Sequence, residues 1–397
     1  MKKKFLLIIY SGRFTNFDYQ KWELKELKKK YNLNLLINVF DPFAEEKINS
    51  SLSKPYKTVI YSRTIKEWLK FFSKFNKKNT IIIPQLEPIS FKILLINYFL
   101  SKSKIPILLN RNPQLSGNQK LPITYGALTN YLKTILLNPV YTLFTIKLIL
   151  IRFLMTFINY ESLINLKVGN EKKKIISKKS KILQIHSWDY TKYLKQSFKS
   201  RIKKSKKNNI IFLDKPGPDI FDDHSLSGKK TTIKPNVKKW YDDINIYLDK
   251  IEKLYKTKVI IIPHPKVKGI KKSHYKKKLV NHENDAAEKL IPTSKFIITC
   301  GMTTAISYAI LSHKPIFLTY CDQDQKDLRE MADLRYTSKI TGAHLINRNN
   351  VNKNNIHKSM KINKTLYKKY KYKYLTSKNC EKNRNFKLIG KYINENQ

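Results

Sequence analysis

Short apolar runs return along this chain at nearly regular intervals, with amphipathic stretches filling the gaps. "FLLIIY" (residues 5–10) is followed by "YQKWELKELKKKY" and then "LNLLINVF". "YKTVIYS", "IKEWLKFFSKF", "TIIIPQ", "SFKILLINYFLSK" and "IPILLN" carry the pattern to residue 110. Apolar runs without polar alternation suit strands covered on both faces. Strands that alternate with helix-length amphipathic stretches make βαβ units and a parallel sheet.

The rhythm restarts near residue 208. "NNIIFLD" ends on Asp214, and the helix-like "VKKWYDDINIYLDKIEKLYKT" leads into "KVIIIPHPK". A basic loop, "ENDAAEKLIPTS", "KFIITC", Gly301, "MTTAISYAILSHK" and "PIFLTY" follow. The expected class is therefore α/β with two doubly wound domains. An N-terminal domain takes 1–167 and a Lys/Ser-rich connection takes 168–207. A second α/β domain takes 208–345. Residues 346–397 form a Lys/Asn/Tyr-rich tail, either helical in "INKTLYKKYKYKYL" or mobile. A chain of 397 residues has room for two or three domains at roughly 100–200 residues each.

The charge is extreme: 79 Lys and Arg against 29 Asp and Glu give a formal net charge of +50. Such a balance fits an acidic partner, whether nucleic acid, anionic lipid or a phosphorylated substrate. The abundance of Lys, Asn, Ile and Tyr also fits an AT-rich coding bias, which needs no partner. Zinc-finger spacing, an RNP-like aromatic box and a helix-turn-helix signal are all missing, so nucleic acid is not expected. Three cysteines, Cys300, Cys321 and Cys380, make neither a disulfide framework nor a Cys-based zinc site. That usage suits a reducing compartment. The opening "MKKKFLLIIYSGRF" imitates a signal peptide. Its apolar run of about six residues falls short of the roughly 7–15 that a signal core needs, so it reads as a first buried strand.

Residues 141–158, "YTLFTIKLILIRFLMTFI", are the most apolar window. Lys147 and Arg152 interrupt it, and Pro139 lies just before it. A buried core helix, an interfacial helix on an anionic leaflet and a true span are the three readings. A span needs roughly 20 apolar residues with few charges, which favours the first two.

Two stretches could carry chemistry. In "PHPK", His264 follows a strand, and Pro263 and Pro265 fix the backbone on either side. An imidazole held there can donate to a phosphate oxygen, with Lys266 and Lys268 adding charge. It can equally be a His that merely terminates a strand. In "TCGMTTAIS", Gly301 permits a tight turn, and a helix beginning at Thr303 and Thr304, with Ser307 one turn on, offers N–H groups and hydroxyls to an anion. An ordinary N-cap would look the same. Thr303 lies 39 positions after His264, enough for one loop, one helix and one strand. That spacing allows the two strand ends to be neighbours facing one crevice at the carboxyl edge of the sheet.

"PHPK" followed by "ITCGMTTAISYAILSHKPI" resembles the paired His-Pro and Ser/Thr motifs of GT-B glycosyltransferases that use CMP-activated sugars. These include bacterial sialyltransferases, polysialyltransferases and capsule-type Kdo transferases. The likeness covers about residues 208–320, with Thr where the family usually has Ser. It implies a GT-B fold of two Rossmann-like domains facing a cleft, a nucleotide-sugar donor and a glycan or lipid-linked glycan acceptor. It implies surface polysaccharide synthesis at the cytoplasmic face of an anionic inner membrane, with no cofactor beyond the donor. His264 would stabilise the departing CMP, with Pro265, Lys266, Gly301, Thr303, Thr304 and Ser307 around the donor.

Transfer also needs a base for the acceptor hydroxyl. Asp18, Asp41, Glu87, Asp189 and Asp214 are the candidates by placement at strand ends or in the connection. Asp214 is the best placed, although a cap or loop carboxylate would look the same. No metal is demanded, because His274, His282 and Glu283 have no ligand-like spacing. Two alternatives remain. One is a CDP-glycerol glycerophosphotransferase of the teichoic-acid type, whose second motif usually runs closer to Asp-Tyr-Ser-Ser. The other is a noncatalytic basic protein of the membrane surface.

Overall fold

The computed structural model describes residues 4–11, 14, 16–40, 59–87, 90–110, 139–160, 163–170, 181–197, 209–214, 236–263, 274–275, 279–281, 283, 285–301, 303–325, 328–350 and 360–395. Among these, 4–110, 139–186 and 377–395 form one compact unit, and 187–376 the other.

The first unit is built on seven strands: β1 Phe5–Ser11, β2 Asn34–Phe40, β3 Val59–Ser62, β4 Thr80–Gln85, β5 Ile107–Asn110, β6 Leu163–Val168 and β7 Lys181–Ile185. All neighbours are parallel, in the order β3-β2-β1-β4-β5-β6-β7. The helices are α1 Asn16–Lys21, α2 Leu24–Tyr31, α3 Ile65–Phe72, α4 Phe91–Lys102 and α5 Pro139–Met155. Strand β1 shows why the apolar runs are unbroken. Leu6 and Ile8 enter a core with Leu24 and Leu27 of α2, while Leu7 and Ile9 enter an opposite core with Trp68 of α3 and Ile96 of α4. Local signals set the helix starts. Thr64 caps α3 by accepting from the Glu67 N–H, and the Glu67 carboxylate accepts from the Arg63 N–H, a reciprocal capping box. Ser90 caps α4 through the Ile93 N–H.

The second unit holds β8 Ile210–Leu213, β9 Val259–Ile262, β10 Leu279–Val280, β11 Phe296–Thr299, β12 Ile316–Tyr320 and β13 His344–Asn347. Its order is β10-β9-β8-β11-β12-β13, again parallel throughout. Its helices are α6 Trp188–Ser197, α7 Val237–Tyr255, α8 Ala286–Leu290, α9 Ile306–Leu311, α10 Asp322–Gln325, α11 Leu328–Thr341 and α12 Lys364–Tyr370. Ile210 and Phe212 face Trp240, Ile244 and Tyr247 of α7, whereas Ile211 and Leu213 face the opposite core with Ile306 and Leu334. Each unit therefore has the doubly wound topology that the GT-B expectation requires.

The last helix, α13 Asn385–Glu395, packs on the first unit, with Phe386, Ile389 and Ile393 in the α2 core. The expected tail is thus divided. Tyr367, Tyr370 and Tyr374 belong to the second unit's core, and α13 to the first. The Glu23 carboxylate holds the start of α13, taking the Arg384 guanidinium and the Phe386 N–H. Gly390 lies against the Tyr31 ring so closely that a Cβ there would fall 2.0 Å from it. The expected connection over 168–207 also differs, because it supplies strand β7 and helix α6. The chain crosses between the units after His186 and again after Thr376. Beside the first crossing, the Ser187 N–H donates to the Leu375 carbonyl at 2.8 Å.

Candidate functional site

In a doubly wound sheet, ligands bind beyond the carboxyl ends of the strands where the winding reverses. In the second unit that point lies between β8 and β11. Asp214 follows β8, and the Cys300–Gly301 turn follows β11. The expectation that β9 and β11 are neighbours is corrected here, because β8 runs between them. Each step across a sheet is about 5 Å, so the ends of β9 and β11 are roughly 10 Å apart. Asp214 stands between them. A 39-residue spacing measures one βαβ step, but it cannot reveal that an earlier strand occupies the middle.

Asp214 is 3% exposed, and its N–H donates to the Ile262 carbonyl at 3.0 Å, tying it to the end of β9. The Tyr275 side chain is buried beside its carboxylate. Burial first, and then that carboxylate, hold the phenol well above its ordinary pKa, so it stays protonated. Tyr275 is fixed edge-on against Tyr241 at 5.4 Å and Phe212 at 6.2 Å. Sequence reasoning missed this residue, since a Tyr in "KKSHYKKK" reads as part of a solvated loop. His274 stacks on Tyr241 at 4.4 Å. Pro263 is buried at the end of β9. His264, Pro265, Lys266, Lys268 and His282 lie outside the described residues, as does Asp41.

The turn after β11 differs in detail from the expectation. Helix α9 begins at Ile306, not Thr303, and runs six residues. The Ile306, Ser307 and Tyr308 N–H groups donate to the Thr303, Thr304 and Ala305 carbonyls. The Thr303 hydroxyl oxygen accepts from the Ala305 N–H at 3.3 Å. These N–H groups are therefore already used within a tight turn. Gly301 is buried, Thr303 half-buried and Thr304 exposed. Ser307 is 2% exposed, with its side chain near the Asp189 carboxylate.

Asp189, expected in the connection, lies in the first turn of α6 beneath this turn. The residue is half-buried, and its carboxylate lies near the Ser307 and Tyr308 side chains and Lys192. Burial is the largest influence and pushes its carboxyl up to about 7, against the opposing pull of Lys192 and the two hydroxyls. Lys192 pairs with Glu288 at 2.9 Å, and the Tyr308 hydroxyl also reaches Glu288 at 3.5 Å. The folded pKa of Asp189 is raised, so folding favours the protonated form. That stability is fully present below about pH 4 and is lost as pH rises to about 7. In urea titrations at pH 5 and pH 8, the Asp189→Asn variant should lose less stability between the two than the wild type, by on the order of a few kcal/mol. Identical pH slopes would remove Asp189 from this role.

In the first unit the winding reverses between β1 and β4. Ser11 closes that end, its hydroxyl donating to the Gln85 carbonyl at 3.4 Å and accepting from the Glu87 N–H at 2.9 Å. Glu87 is exposed. Asp18 is buried and accepts from the Tyr10 hydroxyl at 3.0 Å. Burial, then Asp18, keep that phenol above its ordinary range. Each unit thus presents carboxylates at its own switch point. Among the described residues, no group of three His, Cys, Asp or Glu side chains could hold a metal ion.

No protein-family model and no curated protein matches this sequence. Similar solved structures include a variant of the wall teichoic acid polymerase TagF, at 11% identity and a TM-score of 0.49 over 99% of this chain and 89% of that one. The glycosyltransferase SnogD from Streptomyces nogalater gives 8% and 0.49 over 99% of each chain. A UDP-N-acetylglucosamine 2-epimerase gives 13% and 0.47 over 100% and 98%. These likenesses concern the course of the chain alone; the doubly wound character rests on the two strand orders.

Proposed function

We propose that the protein is a glycosyltransferase of bacterial surface polysaccharide assembly that uses a CMP-activated sugar. The observation that carries this reading is the strand order of the second unit. It sets the end of β9 beside Asp214, and Asp214 beside the end of β11; His264 follows the first of these strands in the sequence, and Thr303 and Thr304 follow the last. The acceptor hydroxyl attacks the anomeric carbon, and the bond from that carbon to the CMP phosphate breaks. The electron pair and the growing negative charge go to the phosphate, where fixed donors lower the barrier. His264 and Thr304 supply such donors, with Lys266 as a counter-charge. The acceptor proton passes to a carboxylate, for which Asp18 and Glu87 of the first unit and Asp214 of the second are the candidates. Asp189 and Ser307 support the turn from below. The acceptor is a glycan or lipid-linked glycan, met at the inner face of an anionic membrane where nucleotide sugars are available.

The test is a melting-temperature screen of the full chain against CMP, CDP, UDP and GDP. A nucleotide at 100 times its dissociation constant adds about 2.7 kcal/mol. CMP and CMP-sugars should raise the melting temperature most, and a CMP-sugar should be turned over with an acceptor glycan. No shift with any cytidine nucleotide would sink the proposal. A product bearing glycerol phosphate from CDP-glycerol would move the protein to the glycerophosphotransferases.

A further inference from the structure

The first unit carries an apolar face that its sheet does not use. On α5 the exposed residues Leu143, Ile146, Leu150 and Phe153, continued by Phe157 just beyond the helix, recur every three or four positions, so they form one stripe. Their exposures run from 44% to 68%. Ile151, on the opposite side of the helix, is fully buried. Helix α4 packs against α5 and behaves alike: Ile93, Ile96 and Leu100 are buried, whereas Phe91, Leu95 and Tyr98 are 44–48% exposed. Ile149, 58% exposed, widens this stripe, and at 3.6 residues per turn Lys147 lies beyond one edge of it and Arg152 beyond the other. Lys92 and Lys102 are exposed on α4, with the Lys102 ammonium 5.8 Å from the Tyr98 ring. Residues 88–160 contain eight Lys and Arg and no Asp or Glu, although the whole chain has 29 acidic residues.

We infer that the α4–α5 face docks on an anionic lipid bilayer, with the α5 stripe lying in the interface plane. Charge complementarity selects this occupant. Cations border the apolar stripe, and the absence of carboxylates from the whole stretch removes the repulsion that an anionic headgroup layer would otherwise meet. At 17 residues α5 is too short to cross a bilayer comfortably, and among the described residues no helix is long and apolar enough to do so. An amphipathic helix with cations beside its apolar stripe lies flat at the headgroup boundary. The inference rests on the glycosyltransferase reading only for its purpose, which is to bring the enzyme to a lipid-linked acceptor.

The experiment is co-sedimentation of the full chain with vesicles of phosphatidylcholine alone and of phosphatidylcholine mixed with phosphatidylglycerol. No nucleotide is present, so failure of the donor reading leaves this result standing, and the reverse also holds. The wild type should sediment with the anionic vesicles and come off in high salt. Ile146→Glu with Phe153→Glu should weaken vesicle affinity at least about tenfold with an unchanged melting temperature, because both sites are exposed. Lys147→Ala with Arg152→Ala should weaken it in the same direction. Undiminished binding by the Glu variant would assign the attraction to diffuse charge elsewhere and overturn the inference. So would absence of wild-type binding. A scattering mass of two copies that the Glu variant halves would make the face a self-association surface instead.

Discussion

Exchanging His264 for Asn should lower the turnover number for sugar transfer by about 10²–10³ while leaving the melting temperature nearly unchanged. On the proposed reading, the size is that of removing one donor to charge that develops only as the phosphate departs. The small effect on folding follows from position. The β8–β9 pairing ends at Ile262, and the buried Pro263 closes the strand, so the register of β9 is set by residues that precede His264 in the sequence. Asn keeps a donor but not a titratable ring. A pH–rate profile that loses one limb in the variant would identify the imidazole as that group. Asp214→Ala is the instructive contrast. That carboxylate is buried at the end of β8 beside Tyr275, so its loss should cost about 1–3 kcal/mol of stability as well as activity. If His264→Asn destabilised the fold as much as Asp214→Ala does, His264 would be a structural strand terminator and the donor assignment would fail.

The strands that could be read in the sequence are those buried on both faces. Strands β1, β2, β4, β8, β9, β11 and β12 appear as near-continuous apolar runs because each feeds two cores. Strand β7, "KILQI", escaped notice because it is an edge: among the described residues it pairs with β6 alone, and Ile182 is 43% exposed. Strand β13, "HLIN", is four residues long, and its 344–347 span crosses the expected boundary at 345. Helix α13 displays its core residues at Phe386, Ile389 and Ile393, a helical period visible in the sequence. The face that it covers belongs to a sheet begun more than 300 residues earlier, and periodicity names no partner. The same limit applied to the site. The residue types at 214, 264 and 301–304 were legible, and so was their place at strand ends. Their lateral order was not, because it depends on which strand pairs with which. Nor was the nearness of Ser307 to Asp189, which depends on α6 packing against α9.

Asp324→Ala should be among the most damaging single changes to the second unit, at about 3–5 kcal/mol. Its carboxylate pairs with Arg348 at 2.8 Å, and both side chains are nearly inaccessible, 4% and 1% exposed. It also accepts from the Cys321 N–H at 2.9 Å and from the Trp240 indole at 3.4 Å. One side chain thus ties together the end of β12, the residue following β13 and helix α7. Removing it strands the Arg348 guanidinium in the interior beside the Trp240 ring, 5.7 Å away. Arg348→Met is the milder change, since the carboxylate keeps its two N–H donors. Removing both charges together should recover much of the Asp324→Ala loss, because a well-packed apolar pair often matches a buried ion pair. Urea unfolding of the two singles and the double gives the coupling, expected on the order of 1–3 kcal/mol. Additive losses would mean that the pair contributes no mutual stabilisation and that Asp324 acts only through its N–H bonds.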